Sequence, residues 1–227
     1  MLINADFLQR AALAFEDYRW IDSPQNGVER VMLDRVGAEK ARATSIVRYA
    51  PDSYFPHHLH PGGEEILVLS GTFSADDTDY PAGWYLRNPP TSGHRPYSRE
   101  GAVIFVKLWQ MSTAEDQPVA INTQDPANWQ QQDSGQVCPL FSDNSERVSL
   151  QKLDANQLLF TSEIVAGAEL LVLEGELIED GQTYQPGSWL RLPVAELSTI
   201  TAGGNGVTIY LKTGHLADIK GFGLQGW

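Results

Sequence analysis

Two stretches of this chain are nearly the same stretch. EEILVLSGTFSADDTDYPAGWYLR (Glu64 to Arg87) aligns without a gap on AELLVLEGELIEDGQTYQPGSWLR (Ala168 to Arg191), at an offset of 104 residues. Leu67, Val68 and Leu69 fall on Leu171, Val172 and Leu173. Gly71 falls on Gly175, Gly83 on Gly187 and Arg87 on Arg191. Upstream, VERVMLDRV (Val28 to Val36) is similar to SERVSLQKL (Ser145 to Leu153); downstream, IFVKL (Ile104 to Leu108) is similar to IYLKT (Ile209 to Thr213). A repeat of this length predicts two copies of one structural unit. It also supplies a filter: what both copies keep serves the fold, and what one copy carries alone serves a task.

The repeat sets the expected organisation as a first domain over 1–112, a connector over 113–144 and a second domain over 145–227. The connector holds STAEDQ, NTQDPANWQQQDSG and FSDNS, a composition that reads as loop. Within each copy the apolar runs are short and are separated by Gly or Pro every 8–12 residues or so, as in sandwiches and barrels. Val31 to Val36, Ala43 to Tyr49, Ile66 to Leu69, Trp84 to Arg87 and Val103 to Trp109 read as strands. Residues 4–17 could pass for a helix, but their apolar spacing is ambiguous. The expected fold class is all-β.

Composition excludes several functions. A net charge of -13 opposes direct nucleic-acid binding, which needs basic residues to displace counterions, and opposes docking on anionic membranes. One cysteine, Cys138, rules out an internal disulfide and a Cys-rich zinc site. The first twenty residues lack a basic stretch followed by an apolar core, and no apolar run reaches membrane-spanning length. A cytoplasmic location is the default expectation.

The first copy alone carries HHLHPGGEE (His57 to Glu65) and, after Pro89-Pro90, Gly93-His94. Side chains alternate along a strand, so His58 and His60 face one way and His57 the other. The Pro61-Gly62-Gly63 turn brings Glu64 to the same side. Three imidazoles and a carboxylate suit one divalent first-row transition metal. The second copy is the control. His58, His60, Glu64 and His94 fall on Ser162, Ile164, Ala168 and Ser198, so all four are missing together, whereas Glu65 falls on Glu169. Glu64 is therefore the expected ligand and Glu65 a structural residue. Trp84, Tyr85 and Arg87 could line a pocket, but Trp189 and Arg191 recur in the second copy, which favours packing. Tyr49 and Arg48 are weaker candidates beside the site. His215 is expected to face solvent, and Cys138 to be buried or idle.

The spacing His-x-His-x3-Glu, six residues, then Gly71, with Gly83 and a later Gly93-His94, resembles the two motifs of the cupin superfamily. GVERVMLDRVGAEKARATSIVRYAPDSYFPHHLHPGGEEILVLSGTF and DYPAGWYLRNPPTSGHRPYS are most similar to the cupin domain of the anti-sigma factor ChrR and its stand-alone relatives. That resemblance implies a jelly-roll barrel, here as a tandem bicupin, with a metal held by His58, His60, Glu64 and His94. It implies zinc first, with iron, manganese or nickel as alternatives, and a regulatory or sensory role, or else a dioxygenase that cleaves small diketones with iron; a purely structural metal site is the third alternative. Two departures matter. The His/Cys zinc domain through which ChrR binds its sigma factor has no counterpart here, which puts sigma-factor binding in doubt. Relatives tend to have Gly-Cys where this chain has Gly101-Ala102. The expected partners are a small-molecule ligand or oxidant, with no nucleic acid and no membrane. A homodimer is possible in principle, and the second copy is expected to have no chemistry of its own.

Overall fold

The computed structural model describes residues 1–38, 40–217 and 219. Among them the chain is almost entirely β-strand, as the alternating apolar pattern and frequent glycines predict, and no helix is long and apolar enough to cross a membrane. The strands that matter below are β1 (Ala11–Leu13), β2 (Val28–Gly37), β3 (Ala41–Tyr49), β4 (Glu64–Ala75), β5 (Trp84–Asn88), β6 (Ala102–Leu108), β7 (Val119–Asn122), β8 (Gly135–Ser142), β9 (Arg147–Leu153), β10 (Ala168–Glu179), β11 (Trp189–Leu192) and β12 (Ile200–Thr213).

They fall into two compact units. Among the described residues the first comprises 1–5 and 19–124, the second 6–18 and those from 125 to 219. In the first unit the sheet order is β2-β3-β6-β4-β5-β7; in the second it is β8-β9-β12-β10-β11-β1, with every pairing antiparallel. The two sheets thus repeat one pairing scheme position by position, and the all-β jelly-roll fold of the cupins is what the chain adopts.

The register corrects one sequence match. Ser145 to Leu153 resembles Val28 to Val36 in residues but does not take its place. Leu153 pairs with Val207 and Arg147 with Thr213, as Tyr49 pairs with Ala102 and Ala43 with Leu108. β9 therefore stands where β3 stands, and β8 fills the place of β2.

The connector is corrected as well. Residues 113–144 hold β7, a short strand at Gln130–Gln132 and all of β8. β7 closes the edge of the first sheet, with Tyr85 opposite Ile121. Residues 4–17 are not helical beyond one 3-10 turn at Phe15–Asp17. They contain β1, which pairs with β11 in the second sheet, Leu13 opposite Trp189. An edge strand of three or four residues carries little periodicity of its own, and its partner lies far off in sequence.

Buried residues common to both copies explain why the repeat persists. Gly71 and Gly175 sit at φ +68 and +71, and a Cβ there would meet the carbonyl oxygens of Gly101 and Gly206 at 2.0 and 2.2 Å. Only glycine fits such a bulge. Arg87 donates to Glu65 (3.0 Å) and, just ahead of β7, to Glu115 (2.8 Å). Arg191 donates to the Asp6 carbonyl (3.0 Å) and lies 4.3 Å over the Phe7 ring, just ahead of β1. In each unit a buried arginine thus clasps the segment that closes the sheet edge.

Candidate metal centre

The site is built at one end of the first barrel. His58 belongs to a two-residue strand, His58–Leu59, paired with Gly93–His94 so that His94 lies directly opposite His58. The backbone of His60 is held on both sides. Its N–H donates to the Ser92 carbonyl (2.8 Å), and its carbonyl accepts from Thr91 (2.9 Å) and Gly63 (3.1 Å). Gly62 is pressed on the Trp109 ring, where a Cβ would come within 2.5 Å of Cδ2. The turn therefore runs tight against the sheet and delivers Glu64 as the first residue of β4.

The four predicted side chains converge. Their ligand atoms all lie within 4.8 Å of one another. Glu64 Oε2 is 3.4 Å from His60 Nε2 and 3.3 Å from His94 Nε2. Donors bound at about 2.1 Å to one cation are separated by roughly 3.0–3.4 Å in octahedral or tetrahedral arrangements, so the inner donors already stand at ligand spacing. His58 Nδ1 lies 2.9 Å from the Pro56 carbonyl, which can only accept. Nδ1 therefore carries the proton, and Nε2 keeps its lone pair free to bind. Asn88 donates to Glu64 Oε2 at 3.0 Å and orients the carboxylate. His57 stays outside the cluster, as its parity predicts.

Burial makes this arrangement costly without a cation. His60, Glu64 and His94 are 5%, 6% and 7% exposed. His60 Nε2 and His94 Nε2 are buried with no hydrogen-bond partner, each an unsatisfied group worth about 1–3 kcal/mol. Burial, reinforced by the neighbouring imidazoles, pushes His60 down to about 3 and His94 to about 4. Burial pushes Glu64 up to about 7, against the pull of Asn88. The cluster is thus set to resist protonation of its imidazoles. A divalent cation would satisfy both orphaned nitrogens and restore the carboxylate charge. The residues fit a metal.

The centre opens onto a cavity of about 710 Å³ inside the first barrel, bounded by His58, His60 and Glu64 at one end and by the inward faces of β2, β3 and β6 along its length. Tyr49 lines it, and burial followed by the Glu64 charge raises its phenol. Arg48 points elsewhere, bound to Glu29 (2.6 Å) and stacked on Trp20. Trp84, Tyr85 and Arg87 do not line the cavity; Tyr85 and Arg87 are fully buried, and packing accounts for them. Cys138 is buried in β8, and burial raises its thiol to about 11. His215 corrects the solvent-facing expectation: its side chain is 3% exposed and lies 3.2 Å from Glu169, which also accepts from Trp189 (2.7 Å).

Three contributors went unread in the sequence. Asn88 falls on Leu192 at the same offset of 104, so the internal comparison already marked it as peculiar to the first copy. Arg30 and Arg35, on the cavity wall, sit in β2, where the resemblance to Ser145–Leu153 pointed to the wrong counterpart.

Comparison with known proteins agrees with this geometry. The family model for the ChrR Cupin-like domain matches residues 8–112, so this part of the chain is similar to that domain. No curated protein sequence matches the chain. Among solved structures, a candidate dioxygenase from Nostoc punctiforme shares 14% identity over 93% of this chain and 85% of its own, with a TM-score of 0.69. The bacterial pirin YhhW from Escherichia coli, solved with nickel(II), shares 12% over 90% and 98%, TM-score 0.66. A cupin 2 conserved barrel domain protein from Leptotrichia buccalis shares 13% over 89% and 95%, TM-score 0.61. Likeness at such identities speaks for the fold.

Proposed function

We propose that this chain is a ChrR-like, metal-binding bicupin whose first barrel holds one divalent transition metal and receives a small molecule beside it, in a sensory or regulatory role. The observation that carries the reading is the pair of orphaned buried nitrogens, His60 Nε2 and His94 Nε2, facing Glu64 at the head of a 710 Å³ cavity. A merely structural metal would need no cavity of ligand size. On this reading His58, His60, Glu64 and His94 hold the cation, Asn88 fixes the Glu64 carboxylate, and the barrel wall excludes water from the bound molecule. When bound, the metal supplies Lewis acidity and an exchangeable site for an oxygen donor. The second unit is read as a degenerate cupin without ligands.

A second reading, a metal-dependent dioxygenase of small diketone-like substrates, is favoured by the same cavity, since an enzyme must admit substrate to the metal. One experiment separates the two. Protein purified without added metal is analysed for its elements, then reloaded with iron and offered acetylacetone while oxygen uptake is followed. Bound zinc and no uptake support the sensory reading; bound iron with diketone turnover reverses the order. A metal-free preparation with both units folded overturns both.

A further inference from the structure

The cavity wall holds two arginines whose charge nothing described nearby balances. Val28, Arg30 and Met32 line the cavity from β2 at alternate positions. The bulge between Met32 and Asp34 then shifts the parity, so Arg35 points to the same side. Without that extra residue Arg35 would face outward. Among the described residues neither guanidinium has a carboxylate within ion-pair distance, in a chain of net charge -13. Arg30 Nε is buried with no hydrogen-bond partner. Among the described residues Arg35 donates only to the Ala38 carbonyl. Burial, and then the neighbouring Arg30 charge, lower Arg35 below the ordinary arginine range. Two cations that repel each other on one wall of a cavity mark a place for an anion.

Register places them relative to the metal centre. Arg35 is opposite Ala43, Ala43 opposite Leu108, and Leu108 opposite Glu64. The arginine and the ligand carboxylate therefore lie in one row, three strand spacings apart, roughly 14 Å along the sheet. Between them β3 offers the small side chains of Ala41, Ala43 and Ser45. The extended arginine covers about half the gap, leaving roughly 6–8 Å to be bridged, about four to six methylenes. Met32, Val47, Val106 and Leu108 give that stretch apolar walls.

Building on the metal reading above, we propose that the cavity's ligand is an amphipathic carboxylate: an oxygen donor at the metal, a short apolar body, and a carboxylate gripped by Arg30 and Arg35. Carboxylate is favoured over phosphate because, among the described residues lining the cavity, no glycine-rich nest of backbone N–H groups is there to share a dianion.

The test uses the full chain loaded with its metal. Adipic, pimelic and suberic acid monohydroxamates are titrated by calorimetry beside hexano-, heptano- and octanohydroxamic acids, which lack the distal carboxylate. A phosphonate-ended analogue forms the third arm. The carboxylate-ended probes are expected to bind at least about tenfold more tightly than their matched alkyl partners. Arg30→Gln and Arg35→Gln should each erase most of that advantage with metal content unchanged, and Arg30→Lys should keep part of it. Equal affinities, or an advantage that survives both substitutions, overturns the proposal. So does tighter binding of the phosphonate. If no hydroxamate binds to protein shown by elemental analysis to hold its metal, ligand access itself is wrong. If the protein holds no metal, the metal reading fails, and that is read before any titration.

Discussion

The two units share a frame and differ in filling. Where the first has His60 and Glu64, 5% and 6% exposed, the second has Ile164 and Ala168, 6% and 0% exposed. Where Asn88 holds the Glu64 carboxylate, the second has Leu192, fully buried. Leu170, Val172, Leu190, Leu192 and Ile209 close the second barrel into a continuous apolar core. The first barrel instead leaves small residues on β3 and keeps its cavity. His60 and Ile164, and Glu64 and Ala168, are all buried, and their chemistry differs. A barrel end can be sealed with hydrocarbon, which needs no partner, or with ligands, which need a cation. The buried arginines at 87 and 191 stand outside this difference: each holds a closing strand, whatever fills the barrel.

Variants can break that comparison at different depths. The largest effect is expected from Arg87→Leu, which takes the buried guanidinium away from Glu65 and Glu115. Losing one partner of a buried pair costs about 3–5 kcal/mol, read as a fall in the denaturation midpoint. A midpoint within error of wild type would show that the arginine is dispensable.

Glu64→Ala makes the first site resemble the second. Metal affinity should fall at least about a hundredfold, beyond the 10–100-fold typical of losing an outer hydrogen-bond partner. Chelation of wild type should lower its stability by about 2.7 kcal/mol if metal was present at a hundred times its dissociation constant. The same treatment should leave the variant unmoved, and full metal occupancy in the variant would remove Glu64 from the ligand set.

Asn88→Ala should retain the metal but weaken it about tenfold, measured by competition with a chelator. An unchanged constant would mean that the 3.0 Å bond does not tune Glu64.

The smallest effect concerns the second unit alone. Arg10, Ser198 and Tyr184 surround Glu179, and its pKa is lowered from 4.5 despite burial, chiefly by Arg10. A carboxylate depressed in the folded state stabilises above its unfolded pKa, and that contribution is lost as pH falls through the folded value. Stability should therefore decline below about pH 4.5, and Arg10→Gln should flatten the decline. Parallel curves for the two proteins would remove this pair from the pH dependence.

Much of this was legible in the residues. The repeat identified the twelve-residue strands β4 and β10, and the missing set His58, His60, Glu64 and His94 identified the cluster, because covalent spacing and strand parity fix which side chains can meet. Three features were not legible. β1 and β7 are short edge strands whose partners are distant in sequence, and Gln130–Gln132 is exposed throughout, so neither periodicity nor hydrophobicity marks them. β9 carries a Val-x-Leu pattern that any half-buried strand would share, so residue similarity assigned it the wrong counterpart. The inward turn of Arg35 depends on a bulge, which the sequence does not announce.

The membership of residues 6–18 in the second unit has a bearing on how the molecule comes into being. A ribosome releases Ala11–Leu13 long before Trp189–Leu192, the strand they must meet. At about 5–20 residues per second, that wait is roughly 10–35 s. Everything the front barrel needs is translated in the meantime, so it can close while its neighbour's first strand is still without a sheet. The nascent chain must keep that strand from pairing elsewhere, and severing the finished protein at its midpoint would leave one fragment missing an edge it never encoded.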